Sequence, residues 1–196
     1  FKSFYCNDCT DKLDYYTSEW KKLGFQPDGI YTGFLSSEKQ VDKILDFINS
    51  FETENTLVLV DPVMGDGGRT YSLFTDALAC KMKKLVTVAD VITPNLTECC
   101  ILCDVDYCEF IKNADKPDFM DKIAELGKNL LNRYGVKIVI ITGIDHKDID
   151  GTMYVQNLIA SKDEVFSVSC KKIGGSYSGT GDLFASVMFS GLLRGD

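Results

Sequence analysis

The sequence predicts a three-layer α/β/α domain, in which helices cover both faces of a mainly parallel sheet. Two short runs, Thr56–Val60 and Lys137–Ile141, are apolar almost throughout, which is typical of strands buried on both faces. Strand patterns alternate with helical patterns along most of the chain, and this alternation favours parallel pairing. The 196 residues, 45% hydrophobic, suffice for one domain with a substantial core, so we treat residues 1–196 as a single domain.

The first half of the chain alternates helix and strand in a regular order. Apolar residues at helical spacing predict a helix over Asp11–Leu23 and a second helix that Ser37 caps. Strands are predicted at Gly29–Gly33 and Thr56–Val60. The glycine-rich segment Asp61–Tyr71 then reads as a flexible loop.

The second half continues this alternation and adds a hairpin before the last helix. Three helices are predicted, at Thr75–Leu85, Leu96–Cys103 and Asp118–Tyr134. The predicted strands are Asp90–Ile92, Lys137–Ile141 ended by Thr142-Gly143, and the hairpin pair Gly151–Ala160 and Glu164–Cys170.

The stretch Gly174–Asp182 resembles a helix start that is aimed at an anion. Apolar residues recur at helical spacing from Leu183 to Leu193, so a helix begins at or near Asp182. Glycines on either side of Thr180 let the backbone bring the first N–H groups of the helix, at the positive end of its dipole, against a phosphate oxygen. Asp182 then either accepts the proton of an attacking hydroxyl, as a kinase base does, or merely caps the helix.

Polar residues follow the predicted strands at the points where they end. These residues are Thr32-Gly33, Asp61-Pro62, Thr93-Pro94-Asn95 and Thr142-Gly143. Because the carboxyl ends of parallel strands lie at one edge of the sheet, where α/β proteins bind their ligands, we expect these groups to meet there. Each of them taken singly is ordinary turn chemistry.

Two common phosphate-binding loops do not match. Gly174 and Gly179 have the spacing of a P-loop, but Thr180-Gly181 stands where that motif needs Lys followed by Ser or Thr. A dinucleotide fingerprint fails because Phe184 occupies its third glycine position. These two nucleotide-binding motifs are therefore excluded.

Charge and composition narrow the possible partners. A formal net charge of −8 disfavours a surface for nucleic acid or anionic membrane. No apolar run approaches the roughly 20 residues of a membrane span, and the N-terminal Phe1–Tyr5 carries no signal-peptide pattern. We therefore expect a cytoplasmic protein. The chain does not begin with Met, and we expect it to be a fragment of a longer protein.

The cysteines and the single histidine have no assigned chemistry. Two C-x-x-C pairs, Cys6–Cys9 and Cys100–Cys103, are separated by about 90 residues, far more than the roughly 15–20 of a compact zinc module. We expect the other cysteines to be reduced thiols packed as small apolar residues. His146 is expected to be a solvated loop residue, and Lys171-Lys172 a solvated pair.

Three motifs, in this order, carry a family resemblance. They are Asp61–Gly68 (DPVMGDGG), Thr93–Glu98 (TPNLTE) and Gly179–Ala185 (GTGDLFA). Together they resemble the successive signatures of the pyridoxal (vitamin B6) kinases of the ribokinase superfamily, and the resemblance covers nearly the whole chain. It implies a ribokinase-like fold and ATP-dependent phosphorylation of the 5′-hydroxymethyl group of pyridoxal, pyridoxamine or pyridoxine. ATP, Mg²⁺, a possible monovalent cation and a homodimer belong to the same expectation.

The resemblance also implies roles for individual residues. Asp182 would be the catalytic base and a substrate contact, and the N–H groups of Gly179, Thr180, Gly181 and Asp182 would form the anion hole. The implied nucleotide contacts are Asp61, Thr93, Asn95, Thr142 and Tyr71, the implied metal-site residues are Asp66 and Glu98, and Phe34 would contact the substrate.

The chain departs from the family pattern in two respects. We expect these 196 residues to lack the family's first strand-helix unit and its C-terminal helices, and Phe34 stands where many relatives have Tyr. Two alternatives therefore stay open. One is a hydroxymethylpyrimidine kinase of thiamin synthesis, whose comparable loop usually carries Cys in place of Asp182. The other is a catalytically silent nucleotide- or vitamin-binding homologue.

Overall fold

A six-stranded sheet forms the centre of the protein in the computed structural model, which describes residues 7–175 and 177–196. Four neighbouring strands are parallel, and the last two are antiparallel at one edge, which confirms the predicted mainly parallel sheet and its hairpin. The strands in spatial order are β1 (Gly29–Thr32), β2 (Leu57–Val60), β5 (Val91–Ile92), β6 (Ile138–Lys147), β7 (Met153–Ser161) and β8 (Val165–Lys171). A separate antiparallel pair is formed by β3 (Gly65–Asp66) and β4 (Arg69–Thr70).

Helices connect most of these strands. They are α1 (Leu13–Lys22), preceded by a 3₁₀ turn at Thr10–Lys12, then α2 (Glu38–Phe51), α3 (Asp76–Val86), α4 (Leu96–Cys103), α5 (Tyr107–Ile111), α6 (Phe119–Tyr134) and α7 (Thr180–Arg194). The hydroxyl of Ser37 accepts a hydrogen bond from the Gln40 N–H, which confirms the predicted cap of α2. Among the described helices, none is long and apolar enough to cross a membrane.

The sheet has helices on both faces, as predicted. Side chains alternate along a strand, so Val58 and Val60 of β2 face one cluster and Leu59 faces the other. The larger cluster is formed with α2, α3, α4 and α6. The smaller cluster lies under α7, which contributes Ala185 and Phe189. The fold is thus a three-layer α/β/α arrangement.

Helix α7 lies unusually close to β1 because β1 begins with glycine. A Cβ atom added to Gly29 would lie 2.7 Å from the Phe189 ring and 2.9 Å from a Leu193 methyl group, both too short for real contacts. The absence of a side chain at Gly29 therefore allows α7 to pack against the end of the sheet.

The predicted end of the strand Lys137–Ile141 is wrong. Strand β6 continues to Lys147 through a bulge between Ile141 and Ile144. Gly143 adopts a positive φ of 70° at this bulge, and its N–H donates to the Asn157 side chain at 3.1 Å. The bulge allows β6 to continue pairing with β7 beyond the parallel part of the sheet.

Three further features differ from the sequence predictions. His146 lies in β6 opposite Tyr154 rather than in a turn, although it is exposed as expected. The segment Asp61–Tyr71 contains the β3–β4 hairpin rather than only a loop, and the short helix α5 was not predicted. Both short elements have too few residues to show a clear periodicity.

Candidate active site

The carboxyl ends of the parallel strands lie side by side, as the sequence predicts. The N–H of Asp61, just after β2, donates to the Thr32 carbonyl at the end of β1 at 2.9 Å. The N–H of Thr93, just after β5, donates to the last residue of β2 at 3.3 Å, and the N–H of Thr142 donates to the Pro94 carbonyl at 2.9 Å. Backbone hydrogen bonding therefore places residues from four strands at one edge of the sheet.

Asp182 is placed at this edge by the start of α7. It is the third residue of the helix, whose N-cap is Gly179 with a φ of 84°, and no side chain among the described residues caps the helix. The alternative interpretation of Asp182 as a mere helix cap is therefore wrong. Its Oδ1 atom lies 3.3 Å from the hydroxyl of Tyr31 on β1. The carboxylate thus faces the end of the sheet.

The first turn of α7 has N–H groups available for an anion. The Leu183 N–H is the first that bonds back, to the Gly179 carbonyl at 3.0 Å. For the N–H groups of Gly181 and Asp182, no acceptor is found in the part of the chain that the structure describes. The Thr180 hydroxyl donates to the Tyr177 carbonyl at 3.0 Å and so points back into the loop. The helix start therefore presents backbone N–H groups and the positive end of its dipole.

Asp61 is a largely buried carboxyl at the centre of this edge. Burial raises its pKa to about 6, and the negative charge of Asp182 adds to the increase, while the Thr93 hydroxyl favours the charged form. The Thr93 and Thr32 hydroxyls are themselves buried and have no hydrogen-bond partner with good geometry among the described residues. Such groups usually have a ligand or water as partner. At this edge of the sheet, carboxyl groups therefore lie close together, and two buried hydroxyl groups are available to bind a ligand or water.

Glu98 is buried and links the start of α4 to the segment that leads into the β3–β4 hairpin. Its side chain is only 3% exposed. Its two oxygens accept from the N–H groups of Met64 at 3.0 Å and Asn95 at 2.8 Å, and Asn95 in turn accepts from the Glu98 N–H, which completes a capping box at the start of α4. Burial raises the pKa of Glu98 to about 8, against the effect of these N–H groups, and the charge of Asp61 raises it further.

The β3–β4 hairpin is held over the start of α4 by three contacts. The Asn95 side chain donates to the Gly65 carbonyl at 2.8 Å, and the Gly68 N–H donates to the Thr97 hydroxyl at 2.9 Å. Gly68 also lies against the ring of Tyr107, because a Cβ at this position would be 2.7 Å from the ring atom Cε1. The hairpin is therefore attached to α4 and α5 along its length.

The hairpin and the residue after it bring Asp66 and Tyr71 towards the carboxyl groups of Asp61 and Glu98. Asp66 is exposed, and its Oδ1 accepts from the Gly67 N–H at 2.8 Å. Burial raises the pKa of the Tyr71 hydroxyl, and the negative charges of Asp66, Glu98 and Asp61 raise it further. The negative charges of all three carboxyl groups therefore act on the Tyr71 hydroxyl.

Phe34 and Tyr71 line the same small pocket. The Phe34 ring is 54% exposed, and Met64 also lines this apolar pocket. The remaining lining residues are Leu35, Val63, Leu73, Phe74 and Leu78. Phe34 therefore offers an exposed apolar surface beside the hairpin.

The donor set suits a magnesium ion that is shared with phosphate groups. Mg²⁺ prefers hard oxygen ligands and usually takes one or two carboxylates, with water and substrate phosphate completing its shell. None of the ion pairs of the described residues involves Asp61, Asp66 or Glu98, so a cation would offset their charge. In residues 7–175 and 177–196, no three acidic, His or Cys side chains converge to bind a metal by themselves. Protein groups would supply only part of the shell.

Sequence reasoning assigned no role to Tyr31 or Thr97, although Thr97 lies within the Thr93–Glu98 motif. Tyr31 reads as a half-buried strand residue, and Thr97 as an ordinary first-turn residue of α4. Their contacts could not be predicted from spacing, since each acts through a partner far away in sequence. The only signal was their position within one or two residues of a strand end or helix start at the predicted edge.

Several other candidates lie away from this edge. Lys172 pairs with Asp145 at 2.6 Å. Cys99, Cys100 and Cys103 are buried in α4, and burial raises the pKa of their thiols, so they pack as apolar groups. The expectation of packed thiols is wrong for Cys80, Cys108 and Cys170, which are exposed. Cys6, of the first C-x-x-C pair, and Ser176, of the glycine-rich stretch, lie outside the described residues.

Comparison with protein families gives one match over most of the chain. The sequence profile of the phosphomethylpyrimidine kinase family matches residues 21–196. A Schizosaccharomyces pombe protein assigned as a pyridoxal kinase is 29% identical over 171 residues, which cover 85% of this chain and 47% of that protein. The chain thus spans about half the length of the curated relatives it matches.

Solved structures give the same relationship. A Bacteroides thetaiotaomicron protein assigned as a phosphomethylpyrimidine kinase, crystallised with pyridoxal, is 36% identical, with a TM-score of 0.86 over 100% of this chain and 66% of that chain. Pyridoxal kinase from Lactobacillus plantarum is 25% identical, with a TM-score of 0.80 over 97% of this chain and 63% of that chain.

Proposed function

The chain belongs to the phosphomethylpyrimidine kinase family, within the ribokinase superfamily, and we propose that its protein transfers the γ-phosphoryl group of ATP to the 5′-hydroxymethyl group of a B6 vitamer. The acceptor would be pyridoxal, pyridoxamine or pyridoxine. Support for this acceptor comes from the relatives assigned as pyridoxal kinases and from the similar protein that was crystallised with pyridoxal.

The observation that carries the proposal is the position of Asp182. Its carboxylate makes no capping hydrogen bond, faces the carboxyl edge of the sheet and adjoins N–H groups at the start of α7 that have no acceptor among the described residues. A base beside an anion-binding helix start is what phosphoryl transfer to a hydroxyl requires. The family resemblance also favours a B6 kinase, because hydroxymethylpyrimidine kinases usually carry Cys in place of Asp182.

The proposed reaction is a single displacement. The vitamer hydroxyl oxygen forms a bond to the γ-phosphorus while the bond from that phosphorus to the ADP oxygen breaks, and the hydroxyl proton passes to Asp182. The N–H groups of Gly179, Thr180, Gly181 and Asp182 would stabilise the charge on the transferred phosphoryl oxygens. Asp61, Thr93, Asn95, Thr142 and Tyr71 would line the nucleotide side of the site.

A bound Mg²⁺ would neutralise phosphate charge and orient the triphosphate. Asp66 would hold it directly, because its carboxylate is exposed and only one oxygen is used, by its own neighbour's N–H. Both oxygens of Glu98 already accept N–H hydrogen bonds, so Glu98 would act through water or through the position of the hairpin. A monovalent cation could use the buried hydroxyls of Thr32 and Thr93, which have no hydrogen-bond partner with good geometry among the described residues.

The test is ADP release by the purified protein with each of four acceptors. Pyridoxal, pyridoxamine and pyridoxine should each be compared with hydroxymethylpyrimidine at equal concentration, with ATP alone as the background. We expect turnover with at least one B6 vitamer well above the background. Turnover with hydroxymethylpyrimidine alone would support the thiamin-pathway alternative, which the family's description favours. No turnover with any acceptor would support a silent binding protein.

We further infer a cytoplasmic homodimer. Support for the location comes from the thiols of Cys99, Cys100 and Cys103, which are unpaired, as is usual in reducing compartments. Support for self-association comes from exposed apolar residues on β8 and α7, among them Val168 and Val187. Light scattering coupled to size exclusion would measure the mass in solution.

A further inference from the structure

We propose that Tyr31 is a positioning residue that holds the Asp182 carboxylate in its reactive orientation. The inference rests on the proposed kinase function and assigns a role to a residue outside the three sequence motifs. Its basis is the hydrogen bond from the Tyr31 hydroxyl to Asp182 Oδ1, 3.3 Å long, between residues 151 positions apart.

The ring of Tyr31 is fixed by the sheet and by the smaller core cluster. Tyr31 is the third residue of β1 and pairs in register with Leu59 of β2. Its ring packs, half-buried, against the cluster that contains Phe189 of α7. A tyrosine has only two side-chain torsions, so these contacts leave its hydroxyl little freedom. The donor is therefore held still before the substrate arrives.

Gly33 leaves room for this hydrogen bond. A Cβ added to Gly33 would lie 3.5 Å from the Tyr31 hydroxyl and 3.6 Å from Asp182 Oδ1. The backbone of Gly33 thus forms one wall of the space in which the two side chains meet. A longer side chain there would compete for that space.

Tyr31 acts as a donor and not as a base. Burial raises the pKa of its hydroxyl well above the ordinary value, and the negative charges of Asp61 and Asp182 and the hydrogen bond to Asp182 raise it further. The hydroxyl therefore keeps its proton at neutral pH. The hydroxyl can therefore donate a hydrogen bond to Oδ1 of Asp182. The other oxygen, Oδ2, is then left to accept the proton of the substrate hydroxyl.

Loss of this hydrogen bond should slow chemistry more than it weakens binding. Small errors in the position of a reacting group cost up to about 100-fold in rate. We expect Tyr31→Phe to lower kcat for the preferred vitamer about 10- to 100-fold, with little change in the KM for ATP. Its Tm should stay near that of the wild type, because the ring and its packing remain.

Tyr134→Phe is the matched control. The Tyr134 hydroxyl donates to the Leu102 carbonyl at 2.7 Å, between α6 and α4, so this variant loses a hydroxyl of the same kind outside the site. It should keep the wild-type kcat. The decisive comparison is the double variant Tyr31→Phe/Asp182→Asn. If Tyr31 acts through Asp182, the double variant should be as slow as Asp182→Asn alone.

The possible outcomes distinguish a failure of this inference from a failure of the proposed function. A wild-type protein that phosphorylates no vitamer overturns the proposed function and this role together. An active wild type with an equally active Tyr31→Phe overturns only the role of Tyr31. The role also fails if the Tyr31→Phe loss multiplies with that of Asp182→Asn, or if it appears only as a raised KM for ATP.

Discussion

The buried Oε1 atom of Glu98 accepts a hydrogen bond from the backbone N–H of Met64, 34 residues earlier in the chain, at 3.0 Å. This contact joins the start of α4 to the segment that leads into the β3–β4 hairpin. Glu98, which the family resemblance assigns to the metal site, thus also connects two segments of the structure. Variants of Glu98 should therefore be judged first by their stability.

We expect Glu98→Gln to lower the free energy of unfolding by about 1–3 kcal/mol, because the amide NH₂ cannot accept and leaves one buried N–H without a partner. Urea unfolding near neutral pH measures the change. Glu125→Gln, on the exposed face of α6, is the matched control and should stay within about 0.5 kcal/mol of the wild type. Equal stability of the two variants would remove the linking role of Glu98.

Stability should fall as pH rises from about 4 to about 8. The pKa of Asp61 rises from 3.8 to about 6 on folding, and that of Glu98 from 4.5 to about 8. Over this window the folded protein binds more protons than the unfolded chain, so each rise in pH favours unfolding, by up to about 1.4 kcal/mol per unit for each group. The stabilisation that comes from these two carboxyl groups is complete below pH 3.8. It decreases as the pH rises above that value and is lost above pH 8.

Urea unfolding at about pH 5 and about pH 8 tests this dependence. Asp104, whose pKa is lowered by Lys83 and Arg133, titrates below the window and should not contribute. Glu98→Gln should flatten the upper part of the profile. A wild-type profile that is flat or rising across the window contradicts the prediction.

Asp66→Asn should raise the Mg²⁺ concentration that gives half-maximal activity, since an amide oxygen binds Mg²⁺ less strongly than a carboxylate. Stability should be unchanged because Asp66 is exposed. Asp115→Asn, also exposed, is the control and should titrate like the wild type. Identical Mg²⁺ titrations for both variants would exclude Asp66 from the metal site.

Asp182→Asn should lower kcat by roughly 10²–10⁴ because it keeps the size of the side chain but loses the basic carboxylate. Asp182→Ala should leave the Tm almost unchanged, since Asp182 makes no capping hydrogen bond. Ser37→Ala provides the comparison, because Ser37 does cap α2 and its loss should cost about 0.5–2 kcal/mol. Wild-type kcat in the Asn variant would refute the assignment of the base.

Gly68→Ala should destabilise the hairpin, because the new methyl group meets the Tyr107 ring. Gly67→Ala is the matched control: its φ is also positive, at 56°, but nothing lies within 4 Å. We expect a loss of about 1 kcal/mol for Gly67→Ala and about 2–4 kcal/mol for Gly68→Ala. In a Tyr107→Ala background the two glycine variants should become equal, and a persistent difference would count against the contact.

The architecture could be predicted from the sequence because helices and strands follow local patterns. Ser37 begins α2 through its side-chain hydroxyl, and Gly135 ends α6 through its positive φ, so both positions predict helix limits well. The bulge at Gly143 could not be predicted in this way, since it depends on pairing with Asn157 on another strand. The continuation of β6 is a property of the assembled sheet.

The candidate site was predicted in its parts and not in its connections. The strand-end residues and Asp182 stand in recognisable motifs, and the general rule for parallel sheets brings them together. The bond from Tyr31 to Asp182 and the dual role of Glu98 depend on distances that no spacing in the sequence encodes. Asp182 was equally consistent with a cap until the helix start was seen to lie at Gly179.

The close packing of α7 on Gly29 has a consequence for biosynthesis. The strand that carries Tyr31 leaves the ribosome long before the helix that carries Asp182, which lies 151 residues later. Parallel pairing of β1 with β2 can begin early, but the sheet face under α7 stays open to water until Phe189 has been translated. The nascent chain would thus expose each of Leu59, Val91 and Ile140 from its own synthesis until α7 follows, and a chaperone would be needed most in that interval.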